Sequence, residues 1–303
     1  MGVACTSFGF GAAEPDDKAS RAGRGGSSQT NHGRIVMHEQ YRDGRNLEAR
    51  AQLHERFSTN PLGLHPWLLA QMDVPPHASV LELGCGVGAF WVTNRERIPP
   101  DWRVTLTDIS PGMVREARDR LRGYHPGFTF AAVAADALPY PDATFDAVFA
   151  HFMLYHVDDR PRALGEIARV LRPGGQLCAA TNGSQHMREA WDLALRAGLM
   201  TSTDLAAGDA VAFSLENGAD QLRPSFADVV LRRYEDCLVV TEAEPLAAYI
   251  LSASWVQATL ASLDAAEREE RVSALRALID HRLAEDGQVA ITKDSGVFVA
   301  RHP

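Results

Sequence analysis

The sequence predicts an α/β fold: a doubly wound, seven-stranded, mainly parallel sheet of the Rossmann-like kind, with lid helices before it and helical cap segments added to it. Three observations carry that reading. At residues 79–91 a short apolar strand runs straight into a glycine-rich turn and a helix (SVLELGCGVGAFW). Strand-length apolar runs then alternate with amphipathic helical stretches through residue 182, the rhythm of βαβ units. Each of these strands ends on or before a polar residue, which lines one sheet edge with polar groups, the edge where ligands bind in such folds.

Composition narrows the class. The chain has 303 residues, 46% hydrophobic and 23% charged, enough for one large domain with additions. A net charge of −9 without a basic stripe argues against nucleic acid as a partner. Cys5, Cys85, Cys178 and Cys237 are scattered with no CxxC pair, so no metal site is expected and the cysteines read as reduced, in a cytoplasmic protein. No apolar run reaches membrane-span length, and no signal-peptide pattern is present.

Residues 1–34 are rich in Gly, Ser and charge and cannot bury enough apolar surface to offset ordering, so they are expected to be disordered. In residues 35–76, Tyr41, Leu47, Ala51, His54 and Phe57 share a helical face, broken at Asn60-Pro61-Leu62-Gly63. A second short helix carries Trp67, Leu68 and Met72 and stops at Pro75-Pro76. Both precede the first strand and are expected to lie over its crevice as a lid. The domain proper is then 77–303.

Val80, Leu81 and Leu83 make the first strand, and Gly84, Gly86 and Gly88 turn the chain tightly. The helix after them carries Val87, Phe90, Trp91 and Ile98. Gly84-x-Gly86-x-x-Ala89 satisfies the loose dinucleotide fingerprint, and Asp108 stands 22 residues beyond Gly86, where a ribose-binding acid belongs. A nicotinamide dinucleotide and S-adenosylmethionine (SAM) both fit at this point.

Strand two, 103–107, hands over to Asp108. Ser110 reads as an N-cap with Pro111 at the first helical position, opening a helix that buries Met113, Ala117, Leu121 and Tyr124. Strand three, about 129–135, leads into Asp136-Ala137-Leu138-Pro139, and strand four, 145–150, into His151. Leu164, Ile167, Ala168 and Leu171 define a helix ended by Arg172-Pro173-Gly174-Gly175, and 176–181 is strand five. Beyond 183 a helix is expected at 186–197, strand six at 229–240 and the last strand at 296–301. Thr241-x-x-Glu244 and Asp264-x-x-Glu267 have capping-box spacing. Residues 199–228 and 241–287 are additions to a minimal core and are expected to build a substrate cap.

VLELGCGVG, LTDIS, AADALPYPDATFDAV and RVLRPGGQL stand in order and in register over residues 79–182. They resemble the motifs of class I SAM-dependent methyltransferases; a dehydrogenase gives no reason for acid-Ala-Leu-Pro after strand three or Pro-Gly-Gly before strand five. The resemblance implies SAM as cofactor and S-adenosyl-L-homocysteine (SAH) as its product. It implies that Glu82 and the Gly84-Cys85-Gly86 backbone face the amino acid end, and that Asp108 accepts both ribose hydroxyls. Ile109 and Met113 would flank the adenine, Asp136 would bond its exocyclic amine beside the Ala137 N–H, and His151 would lend backbone contacts near the methionine part. Tyr41 would close over the cofactor. Plainer readings compete: Asp108 as a helix cap, Asp136 as a turn cap, Glu82 as an isolated buried acid, Tyr41 as packing. Cys85 lacks a paired base and reads as a turn residue rather than a nucleophile.

Attack on a sulfonium methyl needs an in-line acceptor, and a base only if the acceptor must first lose a proton. His151 is the candidate base; His156 in HFMLYH reads as structural. Phe152, Tyr155 and His156 after strand four, with Phe213 and Trp255 in the added segments, suit a small greasy or planar substrate. The motifs NPPY, DPPY and Pro-Cys of macromolecular methyltransferases are absent. The layout from YRDGRNLEAR to HFMLYHV resembles methyltransferases of actinobacterial secondary (antibiotic) metabolism, the terpenyl-indole C-methyltransferases of teleocidin type most of all. That resemblance implies C-methylation of a terpenyl or prenyl chain, with carbocation rearrangement or cyclisation open to follow. The alternatives are an O- or N-methyltransferase using His151, and a nucleotide-binding protein without transferase activity. The partner is a small molecule, and a homo-oligomer is compatible with the sequence.

Overall fold

The computed structural model describes residues 45–206 and 212–303, with no side chains described at 45–50 and 205–206. Tyr41 and residues 1–34 lie outside the described residues. Seven strands form one sheet: β1 (Ser79–Leu83), β2 (Arg103–Asp108), β3 (Phe128–Ala132), β4 (Phe145–His151), β5 (Leu171–Asn182), β6 (Ala227–Val240) and β7 (Val289–Arg301). Their order is β3-β2-β1-β4-β5-β7-β6. The first five pair in parallel, and β7 runs antiparallel to both β5 and β6. The expected α/β class and mainly parallel sheet are what the chain adopts.

The helices are α1 (Arg45–Phe57), α2 (Leu64–Leu69), α3 (Ala89–Asn94), α4 (Pro111–Arg120), α5 (Arg160–Val170), α6 (Arg188–Arg196), α7 (Ser202–Ala206), α8 (Gly218–Leu222), α9 (Ala243–Leu251), α10 (Ser254–Ser262) and α11 (Ala265–Asp286). Central strands covered on both faces read as apolar runs. One face holds Val80, Leu106 and Phe149 against Leu68, Phe90, Trp91 and Ala117 of α2, α3 and α4. The other holds Leu81, Val148 and Leu177 against Leu164 and Ile167 of α5.

A third core lies beyond the sheet. β5 stops at Asn182, paired with Ser295, but β6 and β7 run on as a two-stranded ribbon pairing Glu235–Val240 with Val289–Asp294. A lone ribbon is marginal, so helices must cover it. Leu53 of α1, Leu193 of α6, Leu246 and Ile250 of α9, and Leu275 and Ile279 of α11 bury Leu238 and Ile291. This cap stands at the crevice end of β5 and β7.

Local chemistry was legible in part. Ser110 caps α4 with Pro111 in its first turn, and Asp264 and Glu267 complete a capping box on α11. Thr241 caps nothing: the N-cap of α9 is Glu242, which makes no capping bond with its side chain. Tyr124 falls beyond the end of α4 and is 38% exposed. The segment 213–226 is a larger correction. Phe213, Leu215, Leu222 and Phe226 are buried against the second sheet face, so this stretch backs the sheet instead of roofing the crevice. Buried Thr181 Oγ1 donates to the Phe213 carbonyl at 2.7 Å and fixes it there.

Candidate functional site

Three chain reversals meet at the C-terminal ends of β1, β2 and β4. Gly84, directly after β1, has φ 70°, and a Cβ there would meet Met153 Cβ at 2.8 Å. Gly88 opens α3 at φ 76°, where a Cβ would meet Leu121 Cδ1 at 2.7 Å. Only glycine allows both the left-handed turn and the close approach.

Asp108 ends β2 and ties the reversals together. Its Oδ2 accepts the Gly86 N–H at 3.0 Å and its Oδ1 the Ser110 N–H at 2.8 Å. Each oxygen keeps a lone pair, so two further hydroxyl donors can be held. Burial raises its pKa, with the two N–H bonds opposing and nearby Glu82 adding. Such a partly desolvated carboxylate gains when new donors reach it. Ile109 follows, 61% exposed, an apolar surface beside the acid. An acid with spare acceptor capacity, an exposed aliphatic neighbour and a glycine cradle fit the ribose, adenine and amino acid ends of SAM.

The other expected cofactor residues differ in exposure. Met113 is 2% exposed and packs inside α4, whereas Ile109 is exposed. Asp136 is half-buried in the turn after β3, where the Ala137 N–H is spent on the Ala134 carbonyl at 3.2 Å. Cys85 is buried and its N–H donates to the Thr107 carbonyl at 2.8 Å. Burial pushes its thiol up, which holds it as a turn residue and not a nucleophile.

Glu82 is 2% exposed under the glycine turn, where Trp91 Nε1 donates to its Oε2. His151 Nδ1 lies 3.7 Å from Glu82 Oε1, and His151 Nε2 lies 3.6 Å from Cys178 Sγ. Phe90 and Phe149 stand at 4.7 and 5.4 Å from the imidazole. The His151 side chain is 8% exposed among these groups.

After His151 the chain bends sharply. Phe152 has φ 55°, a left-handed conformation costly for a bulky residue, and its N–H donates to the Ala180 carbonyl at 2.9 Å. Tyr155 and His156 follow on a 3₁₀ turn (Leu154–His156), their rings 4.4 Å apart. Phe152, Tyr155 and His156 are thus brought to the end of β4, all half-buried. Trp255 of α10 sits in the cap, its ring 5.3 Å from Trp191. Phe213 is fully buried against Phe298, with ring centres 5.9 Å apart, and cannot line a cavity.

Sequence reasoning missed three polar groups. His65 of α2, with Nδ1 3.3 Å from Thr93 Oγ1, is pushed down to about 4 by burial, then by the charges of His151 and Lys293. His186, past β5, is pushed down to about 3 by burial and Lys293. Lys293 of β7 is itself buried, 3.0 Å from Asp236, and burial lowers its pKa against the pull of that partner. A signal existed for the last: only Lys18 and Lys293 are lysines among the 30 Lys and Arg. Among the described residues no group of His, Cys, Asp and Glu could hold a metal, and no helix is long and apolar enough to cross a membrane.

Comparison with known proteins agrees with this geometry. Residues 81–179 match the model of the methyltransferase domain. The ubiquinone/menaquinone biosynthesis C-methyltransferase UbiE of Xanthomonas campestris is 41% identical over 121 residues, 38% of this chain and 48% of that protein. UbiE of Hahella chejuensis is 40% identical over 122 residues, again 38% of this chain and 49% of that one. The chain spans about half the length of the curated relatives it matches. Among solved structures, the phosphoethanolamine N-methyltransferase 2 of Haemonchus contortus, in complex with S-adenosyl-L-methionine, superposes with a TM-score of 0.54 at 17% identity, over 89% of this chain and 60% of that one. This last likeness is one of fold. Residues 81–179, which hold the glycine cradle and Asp108, are the part of the chain that is similar to a methyltransferase domain.

Proposed function

We propose that the whole chain is a SAM-dependent methyltransferase acting on carbon in a small, largely apolar molecule with a prenyl or terpenyl chain. One observation carries the cofactor half: Asp108 braces Gly86 and Ser110 through their N–H groups and keeps acceptor capacity next to exposed Ile109. SAM supplies an activated methyl group when bound. The protein's own task is to hold the acceptor in line with it, and positioning supplies much of the rate in such a reaction.

Carbon as the acceptor atom is supported by the curated relatives, which are named C-methyltransferases. Enclosure of His151 agrees, since a π bond can attack a sulfonium methyl without prior deprotonation. Attack by an alkene leaves a carbocation, which the aromatic side chains near β4 and in the cap would shield while it rearranges or cyclises. In this reading residues 1–34 are dispensable, and the acceptor lies beside the cap.

The test is incubation of the purified protein with methyl-labelled SAM and extract of its own producing cells, followed by mass spectrometry. A labelled carbon-bound methyl on a terpenoid or prenylated molecule is expected. Label on oxygen or nitrogen overturns the carbon assignment, and no transfer at all overturns the activity.

A further inference from the structure

His186 stands in the loop between β5 and α6, at the crevice end of the sheet, and the reading above leaves it unused. Ser295 Oγ donates to Asn182 Oδ1 at 2.8 Å, so its proton is committed away from the imidazole. Toward His186 Nδ1, 3.3 Å away, Ser295 is therefore an acceptor. Nδ1 carries the proton, and Nε2 is left with a lone pair. The ring is half-buried, and burial and the Lys293 charge draw its pKa to about 3. It stays neutral at any ordinary pH.

From this ring an aromatic run extends into the cap. His54 lies 6.2 Å from His186, and Tyr249 meets His54 edge-on at 5.6 Å. Trp191 lies 5.8 Å from Tyr249 and Trp255 lies 5.3 Å from Trp191. Trp191 Nε1 donates to the His186 carbonyl at 3.2 Å, which locks the loop to the run. At the far end the buried Trp255 Nε1 has no hydrogen-bond partner among the described residues. Buried donors without partners are rare unless a ligand or water meets them.

We infer that His186 is a specificity-determining residue of the proposed reaction: its Nε2 accepts a hydrogen bond from an N–H or O–H on a planar aromatic head of the acceptor, whose ring lies along the His54–Trp255 run. The inference rests on the methyltransferase reading and adds the feature by which the acceptor is recognised. A neutral imidazole with a fixed tautomer offers only a lone pair on this side. Ring ethers and N-alkylated analogues leave that lone pair unmet and are rejected. The group reads the donor without removing its proton, which agrees with direct attack by carbon.

The test uses the full chain saturated with SAH, whose binding is measured first by calorimetry. The probes are 1-naphthol and 1-methoxynaphthalene, which share a ring and differ in the donor proton. Wild type is expected to bind 1-naphthol about fivefold more tightly, the contribution of one hydrogen bond. His186→Leu should erase that preference while leaving SAH affinity within about twofold, and His186→Gln, which keeps an acceptor oxygen, should restore part of it. The same preference in wild type and His186→Leu overturns the inference, as does failure of SAH-loaded wild type to bind either naphthalene. Loss of SAH binding in His186→Leu also overturns it, by placing the ring on the cofactor side. If wild type itself fails to bind SAH, the cofactor reading falls instead.

Discussion

Gly84 and His151 mark the two ends of what single residues disclosed. The need for glycine at 84 was readable because a strand running into G-x-G-x-G can only turn by entering left-handed space. Met153 adds a second reason that only the fold supplies, since it fills the place of the missing Cβ. Gly84→Ala should therefore weaken SAH binding by tenfold or more, with thermal unfolding shifted by only a few degrees; calorimetry and a melting curve on one sample separate the two. His151, at the end of a strand, was expected to face the crevice. On β4 it shares a face with Phe149, two residues before it, and that face is packed. His151→Ala should cost roughly 2–4 kcal/mol of stability by opening a cavity beside Glu82. The pH–rate profile of the variant should keep the wild-type shape. A basic limb present in wild type and lost in the variant would restore His151 as a base.

Among the elements, β7 was the least legible. Only 296–301 announced itself, yet the strand begins at Val289. Val289, Ile291, Lys293 and Ser295 all point inward, and a lysine and a serine at inward positions hide the alternation that betrays a strand. Lys293 is tolerated there because Asp236 of β6 faces it at 3.0 Å. Asp236 also accepts from Ser58 Oγ at 2.8 Å and from the N–H groups of Thr59 and Asn60 at 3.0 Å each, so it clamps the end of α1 to the ribbon. Lys293→Met strands a buried carboxylate and should cost about 3–5 kcal/mol. Amide exchange at residues 58–60 should accelerate along with it. Unchanged exchange there would detach the ion pair from the anchoring of α1.

The whole molecule combines a nucleotide-binding sheet that was readable with a cap that was not. The sheet betrays itself because four motifs recur at spacings set by βαβ units. The cap is held by residues distant in sequence, such as Leu53, Leu193, Leu238 and Ile279, whose joint burial no local pattern announces. Two histidines predict acid sensitivity for the molecule. His65 and His186 are held near 4 and near 3, below the ordinary 6.5. In the window from about 6.5 down to those values the unfolded chain binds more protons, so stability is full above the window and is lost as pH falls through it. Urea midpoints should fall between pH 7 and pH 5, and the double variant His65→Gln/His186→Gln should flatten that slope. An identical slope would assign the acid loss to other groups. The central claim is the identity of the cofactor, and the most direct measurement is calorimetric titration of wild type and Asp108→Ala with SAH and with NAD. SAH should bind wild type at about micromolar strength and NAD far more weakly, and Asp108→Ala should lose about 2–4 kcal/mol of SAH affinity with its charge-assisted bonds. NAD binding more tightly than SAH, or an Asp108→Ala protein that binds SAH as wild type does, would contradict the assignment of this crevice.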